Sequence, residues 1–286
     1  LEVKAMSDKD RFMNIALTLL KKYFDQLYYS KKKEWETPYM NLSPLEDTDD
    51  NFVGEYTVNI SQPDDNPDAV QFIETLKEKI EEAKVKKQLL DLSGLRKSGL
   101  EAALLDSSLY NPLLYVANNT IAITVSPVAL VKSEFDFINS LKSYCLSDEG
   151  KKNLKDKELY IIRNKSKKGI GFFENAGFYP DFILWLIDDT NEHMIFVDPH
   201  GMSRENITDP KVQLYKTIKT LQPQLSDKSV ILDSFIVSPT KHNDLVLNNI
   251  SVKDWNDNHV YFMEEGNYTE KIFGEVNKDV EYRIVH

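Results

Sequence analysis

Residues 177–202 read GFYPDFILWLIDDTNEHMIFVDPHGM, and the fold turns on how this stretch divides. Two apolar runs flank one polar interruption, Ile187–Glu192, so the simplest pairing is an antiparallel hairpin that turns there. A turn centred between Asp189 and Thr190 sets Asp181 directly opposite Asp198. Facing residues on one sheet face have Cβ atoms about 5 Å apart. Two carboxylates that close repel unless a proton or a cation lies between them, so the spacing builds a cation site. Oxygen-only ligation by two carboxylates suits Mg²⁺, with waters and substrate phosphate oxygens filling the other positions. Such a site can activate water and stabilise charge in phosphodiester hydrolysis. Side chains two apart on a strand share a face, which sets His200 beside Asp198, where it positions water, binds the metal or touches phosphate. The carbonyl of Pro199 is a further candidate ligand. Spacing alone also admits a plain reading, in which the aspartates cap turns, Asp198-Pro199 is a turn dipeptide and a bulge shifts the register.

The flanking segments supply a sheet and its helices. Ser133 and Glu134 start a helix through FDFINSLKSYCL, and ELYIIRN follows as a strand. After the hairpin, Asp209 as cap and Pro210 at the first helical position open a helix that turns Val212, Tyr215, Ile218, Leu221 and Leu225 inward. SVILDSFIVSP is then an apolar strand. The order is helix, strand, strand, strand, helix, strand, and its last three members make a right-handed βαβ unit. The expected fold class is α/β or α+β, a mixed sheet flanked by helices, preceded by a mostly helical N-terminal lobe. We place the boundary between residues 117 and 118, with the sheet core at about 133–240.

In the first lobe, Phe12, Ile15, Leu19, Tyr23 and Leu27 recur at helical spacing and predict a helix packed by one face. EYTVNI reads as a strand. Asn66 and Pro67 open a long charged helix with Ile73, Leu76, Ile80 and Ala83 along one side. DLSGLRKSGLEAALLDSSLYNPLL reads as further helices broken at Gly94, Gly99 and Pro112.

Composition narrows the function classes. No apolar run approaches the ~20 residues of a membrane helix, so no membrane association is expected. A single cysteine excludes an internal disulfide and any Cys zinc cluster, which fits the cytoplasm, and Cys145 sits at core spacing with Phe135, Ile138 and Leu141. The opening LEVKAMSDKDRF carries no basic-then-apolar leader and reads as the middle of a longer polypeptide. A net charge of −11 argues against nonspecific coating of nucleic acid. Within residues 151–168, however, eight basic residues face only Asp156 and Glu158, a local patch suited either to solvent or to a phosphate backbone. His193, His242, His259 and His286 lack ligand spacing and read as surface or structural. No Ser-His-Asp arrangement or phosphate loop is present, and GIGF at residues 169–172 is too short for a nucleotide loop.

Pro180-Asp181 followed by Asp198-Pro199-His200, on that order of elements, resembles the PD-(D/E)XK nucleases. Residues 121–202 more closely resemble the C-terminal nuclease region of type III restriction-like helicase subunits, on SPVALVKSEFDFINSL, ELYIIRNKSKKGIGFFE, GFYPDFILWL and IFVDPHGM. The resemblance implies a metal-dependent DNA endonuclease, the cleavage module of a restriction or phage-defence helicase-nuclease. It implies that Asp181 and Asp198 hold Mg²⁺ or Mn²⁺ and that Glu134 completes or orients the metal shell. His200 takes the catalytic place where the family most often has lysine, with Lys211 a substitute cation or a solvated first-turn residue. Arg163, Lys165, Lys167 and Lys168 are the residues expected on the DNA backbone. The implied partners are DNA, a helicase motor earlier in the same polypeptide, and a modification subunit. Because histidine titrates near ~6.5 and lysine does not, the alternative is a catalytically degenerate nuclease fold that binds DNA or a partner subunit.

Overall fold

The computed structural model describes residues 13–24, 27–28, 31, 45–46, 49, 51–52, 55–86, 100–103, 105, 113–117, 123–165, 179–246 and 249–284. Its N-terminal part contains β1 (Thr57–Ile60), α1 (Pro67–Lys86), β2 (Leu100–Ala103), β3 (Leu113–Val116) and β4 (Ile123–Ser126). The larger part contains α2 (Lys132–Leu146), α3 (Asp148–Asn153), β5 (Glu158–Arg163), β6 (Phe182–Ile187), β7 (Glu192–Asp198), α4 (Leu214–Leu221), β8 (Val230–Ser238), α5 (Val252–Asn256), β9 (Val260–Phe262) and α6 (Tyr268–Ile284). The fold class is α+β.

The main sheet has the order β5-β6-β7-β8-β9. β5, β6 and β7 form an antiparallel meander, and β8 and β9 add in parallel. Hairpin register is the expected one: Ile187 faces Glu192 and Phe182 faces Val197. The turn closes because the Asp188 carboxylate accepts from the Thr190 and Asn191 N–H groups at 2.8 Å. The crossover from β7 through α4 to β8 is the expected βαβ unit.

Period-two alternation divides the sheet residues between two cores. On one face Phe182, Leu184, Ile195, Val197, Phe235 and Val237 pack against Phe137, Ile138 and Leu141 of α2 and Ile272 and Phe273 of α6. Phe137 and Phe182 are 1% and 0% exposed, so each burial contributes about 1.5–3 kcal/mol. On the other face Ile162, Ile183, Phe196 and Leu232 pack against Ile218 of α4. Asp181 continues the parity of Ile183, and Asp198 that of Phe196. Both aspartates therefore emerge at the α4 side of the sheet, at its end.

Four expectations change. LEAA within the expected helical segment and LLYV, which overlaps its end, are the antiparallel pair β2–β3, with Leu100 facing Val116. Leu113 and Tyr115 enter the same core as Phe135, and the Tyr115 and Phe135 rings stack at 4.4 Å. Nonlocal burial of alternate residues thus overrides the helical preference of Leu and Ala. β1 pairs with β4, an antiparallel contact that crosses the expected boundary at residue 118. Asp209-Pro210 opens a series of turns, held by Gln213 N–H to Asp209 O at 2.9 Å, and the helix itself starts at Leu214. The strand over EYTVNI and the helix from Pro67 lie where expected. Residues 13–24 are helical, with Ile15, Leu19 and Tyr23 exposed rather than packed.

Candidate active site

One step beyond the Phe182–Val197 pair, Asp181 stands opposite Asp198. Asn164, just past β5, fixes the approach: its N–H donates to Asp181 O and its Nδ2 to Pro180 O, both at 2.8 Å. Asp198 is 4% exposed, so two acids meet where water is largely excluded. Burial first, and then the neighbouring carboxylates of Asp198 and Glu134, push the Asp181 carboxyl up to about 8, with Lys211 opposing. A carboxyl pair that keeps a proton at neutral pH is the form two crowded acids take when no cation lies between them.

This has a consequence for stability. An acid whose folded pKa lies above its unfolded value binds a proton on folding, so its favourable contribution is complete below about 4 and is lost as pH rises towards about 8. Asp181→Asn is expected to flatten that decline, its advantage over the parent in melting temperature growing from about pH 5 to about pH 8. Parallel melting curves for the two proteins across that range count against a shared proton.

Lysine and histidine exchange their expected places. The chain leaves the strand after Asp198, and the His200 N–H donates to Asp198 O at 2.9 Å, a tight reversal that ends the period-two alternation. His200 instead faces Glu205, with Nε2 3.6 Å from Oε1, and is 43% exposed. The cation at the pair is Lys211, whose Nζ lies 2.5 Å from Asp198 Oδ2. It arrives from the turn series that precedes α4. Pro199 is buried next to Asp198.

Glu134 lies in the first turn of α2 and is 4% exposed. Its carboxylate accepts from Val131 N–H at 2.7 Å and from the Arg163 fork at 3.1 Å (Nε) and 2.8 Å (Nη2). Arg163 also donates to the carbonyls of Val128 and Ala129. The residue expected on DNA is therefore engaged within the chain, and the acid expected to complete a metal shell is bound by it. Lys165 donates its backbone N–H to Asn51 Oδ1 at 2.7 Å. Lys167 and Lys168 lie outside the described residues.

Beside Asp198 and Lys211 a small cleft is lined by Pro180, Phe196, Ser234 and His259, with enclosed room for about one water. His259, read from the sequence as surface or structural, is part of this wall. Its only sequence signal is its place at the end of the NDNH turn before β9, which distinguishes nothing.

Among the described residues no group of three or more His, Cys, Asp or Glu side chains is arranged to hold a metal ion. What the site does offer is two facing carboxylates, an oxygen-only donor set whose crowding, seen in the raised Asp181 pKa, suits the place to positive charge. None of the helices among the described residues is long and apolar enough to cross a membrane. Comparison with known proteins found no matching family model, no matching curated protein and no matching solved structure.

Proposed function

We propose that this chain is the cleavage module of a DNA endonuclease that hydrolyses phosphodiesters with Mg²⁺ or Mn²⁺. One observation carries the reading: the Asp181–Asp198 pair at the open end of a β hairpin, with Lys211 at 2.5 Å, on a helix-strand-strand-strand-helix-strand core. Asp181 and Asp198 would hold the cation, which when bound supplies an activated water and neutralises charge developing on the phosphate. Binding would displace the proton that the pair otherwise keeps. Lys211 holds the Asp198 carboxylate and presents an ammonium to the cleft, the task expected of His200. A helicase motor earlier in the polypeptide and a modification subunit belong to the same proposal, in the setting of a restriction or phage-defence system in the cytoplasm.

The test is incubation of the purified chain with plasmid and single-stranded DNA in Mg²⁺ and then Mn²⁺, beside Asp198→Ala. Within that assay, Lys211→Ala is expected to slow cutting about 10²-fold, the scale for removal of one preorganised donor. His200→Ala is expected to stay within about threefold of the parent, as for an exposed residue turned from the site. The reverse order would return the cation's role to His200. One observation favours a second reading, a nuclease fold that binds DNA or a partner without cutting: Glu134 is bound by Arg163, so only two carboxylates remain for a metal. Absence of cutting in both metals, with DNA affinity retained, selects that reading.

A further inference from the structure

Next to His259 of the cleft wall lies a buried acid that is not one of the pair. Asp233 of β8 is 3% exposed. Its Oδ1 lies 3.1 Å from His259 Nδ1, and its Oδ2 lies 3.5 Å from Lys219 Nζ of α4. The same His259 Nδ1 lies 3.1 Å from the Ser234 carbonyl. Both neighbours are acceptors, so Nδ1 carries the proton, and the ring's other hydrogen-bonding atom is Nε2.

The ring is also held in orientation. Phe235 stacks on it at 4.7 Å and Tyr215 at 4.3 Å. Tyr215 is itself fixed by its hydroxyl, 3.0 Å from Asn258 Oδ1. His259 adopts a left-handed backbone, φ 57°, immediately before β9, a conformation uncommon for any residue but glycine. Its carbonyl accepts from Ile236 N–H at 2.9 Å. A buried acid, an aromatic clamp and an uncommon backbone thus converge on one imidazole, which walls the cleft containing Asp198 and Lys211.

We propose that His259 contacts a phosphate oxygen of the nucleic-acid backbone through Nε2, with Asp233 as the positioning residue that fixes its tautomer. This rests on the nuclease reading for its substrate class, and it adds a second nitrogen group to the cleft that Lys211 also lines. In the neutral ring Nε2 accepts from a water that also donates to the phosphate oxygen, and in the charged ring it donates directly.

The test uses the full chain labelled with ¹⁵N-histidine and titrated with inorganic phosphate. The five histidines keep the spectrum simple, and His259→Asn assigns its signals while retaining a residue that tolerates the left-handed backbone. Saturable movement of the His259 Nε2 signal is expected, with Nδ1 still protonated and His193, His200 and His242 unmoved. Asp233→Asn is expected to mix the two tautomers and to weaken the phosphate response about fivefold, as for loss of one net hydrogen bond. An unmoved His259 signal, or a response unchanged in Asp233→Asn, overturns the proposal. Phosphate binding at His259 without any DNA cutting retains the subsite and removes the nuclease. Cutting that depends on Asp198 with a silent His259 does the opposite.

Discussion

Asp198→Ala protein is expected to cut DNA at least about 10²- to 10³-fold more slowly than the parent in either metal, while melting no lower. The two halves of that expectation come from the same geometry. Asp198 ends β7, which is hydrogen-bonded to β6 on one side and β8 on the other, so its carboxylate is held in place by the sheet. Removing it takes away one of the two acids available to a cation. It also removes a large cause of the raised Asp181 pKa, second only to burial, so the folded state no longer bears the cost of crowding two acids together. Lys211 keeps an outlet, because its side chain is 23% exposed. Lost cutting with unchanged or higher melting temperature therefore separates a chemical role from a folding defect. Full activity in Asp198→Ala removes the pair from the mechanism, and loss of cutting together with early melting leaves the chemistry unassigned to it.

The hairpin was legible because a single polar interruption between two apolar runs leaves one register, and period two then dictates which residues face each other. Asp181 and Asp198 were read off that register. The βαβ crossover followed from the same logic, with only the start of α4 displaced to Leu214. His200 was misplaced because alternation holds only while the chain is a strand, and the strand ends at Asp198. Lys211 could be named as an alternative cation but not located, since its reach depends on the turns between Met202 and Leu214. Over β2 and the start of β3, Leu and Ala favour helix locally, whereas the pairing of these strands and their burial against Phe135 are tertiary facts. Asp233 and His259 come together from β8 and the turn before β9, and neither carries a motif.

Arg163→Ala is expected to lower stability by about 3–5 kcal/mol in denaturant unfolding, the cost of leaving a buried charge unpaired. Glu134 would keep one donor, the Val131 N–H, in a place that is 4% exposed and near enough to raise the Asp181 pKa. Glu134→Gln alone is expected to cost less, because a neutral amide can still accept from Val131. Combined with Arg163→Ala it should recover at least about 1 kcal/mol, since the double variant strands no charge. That coupling also decides what Glu134 does. If the fork holds Glu134 for stability, metal affinity measured by calorimetry should be nearly the same in Glu134→Gln and in the parent. If Glu134 is a ligand kept in reserve, Glu134→Gln should weaken metal binding by the tenfold or more typical of a lost oxygen donor, and Arg163→Ala should strengthen it. The bidentate geometry and the three donors already on the carboxylate favour the first outcome: Arg163 fastens α2 to β5, opposite Phe182, the residue that follows Asp181.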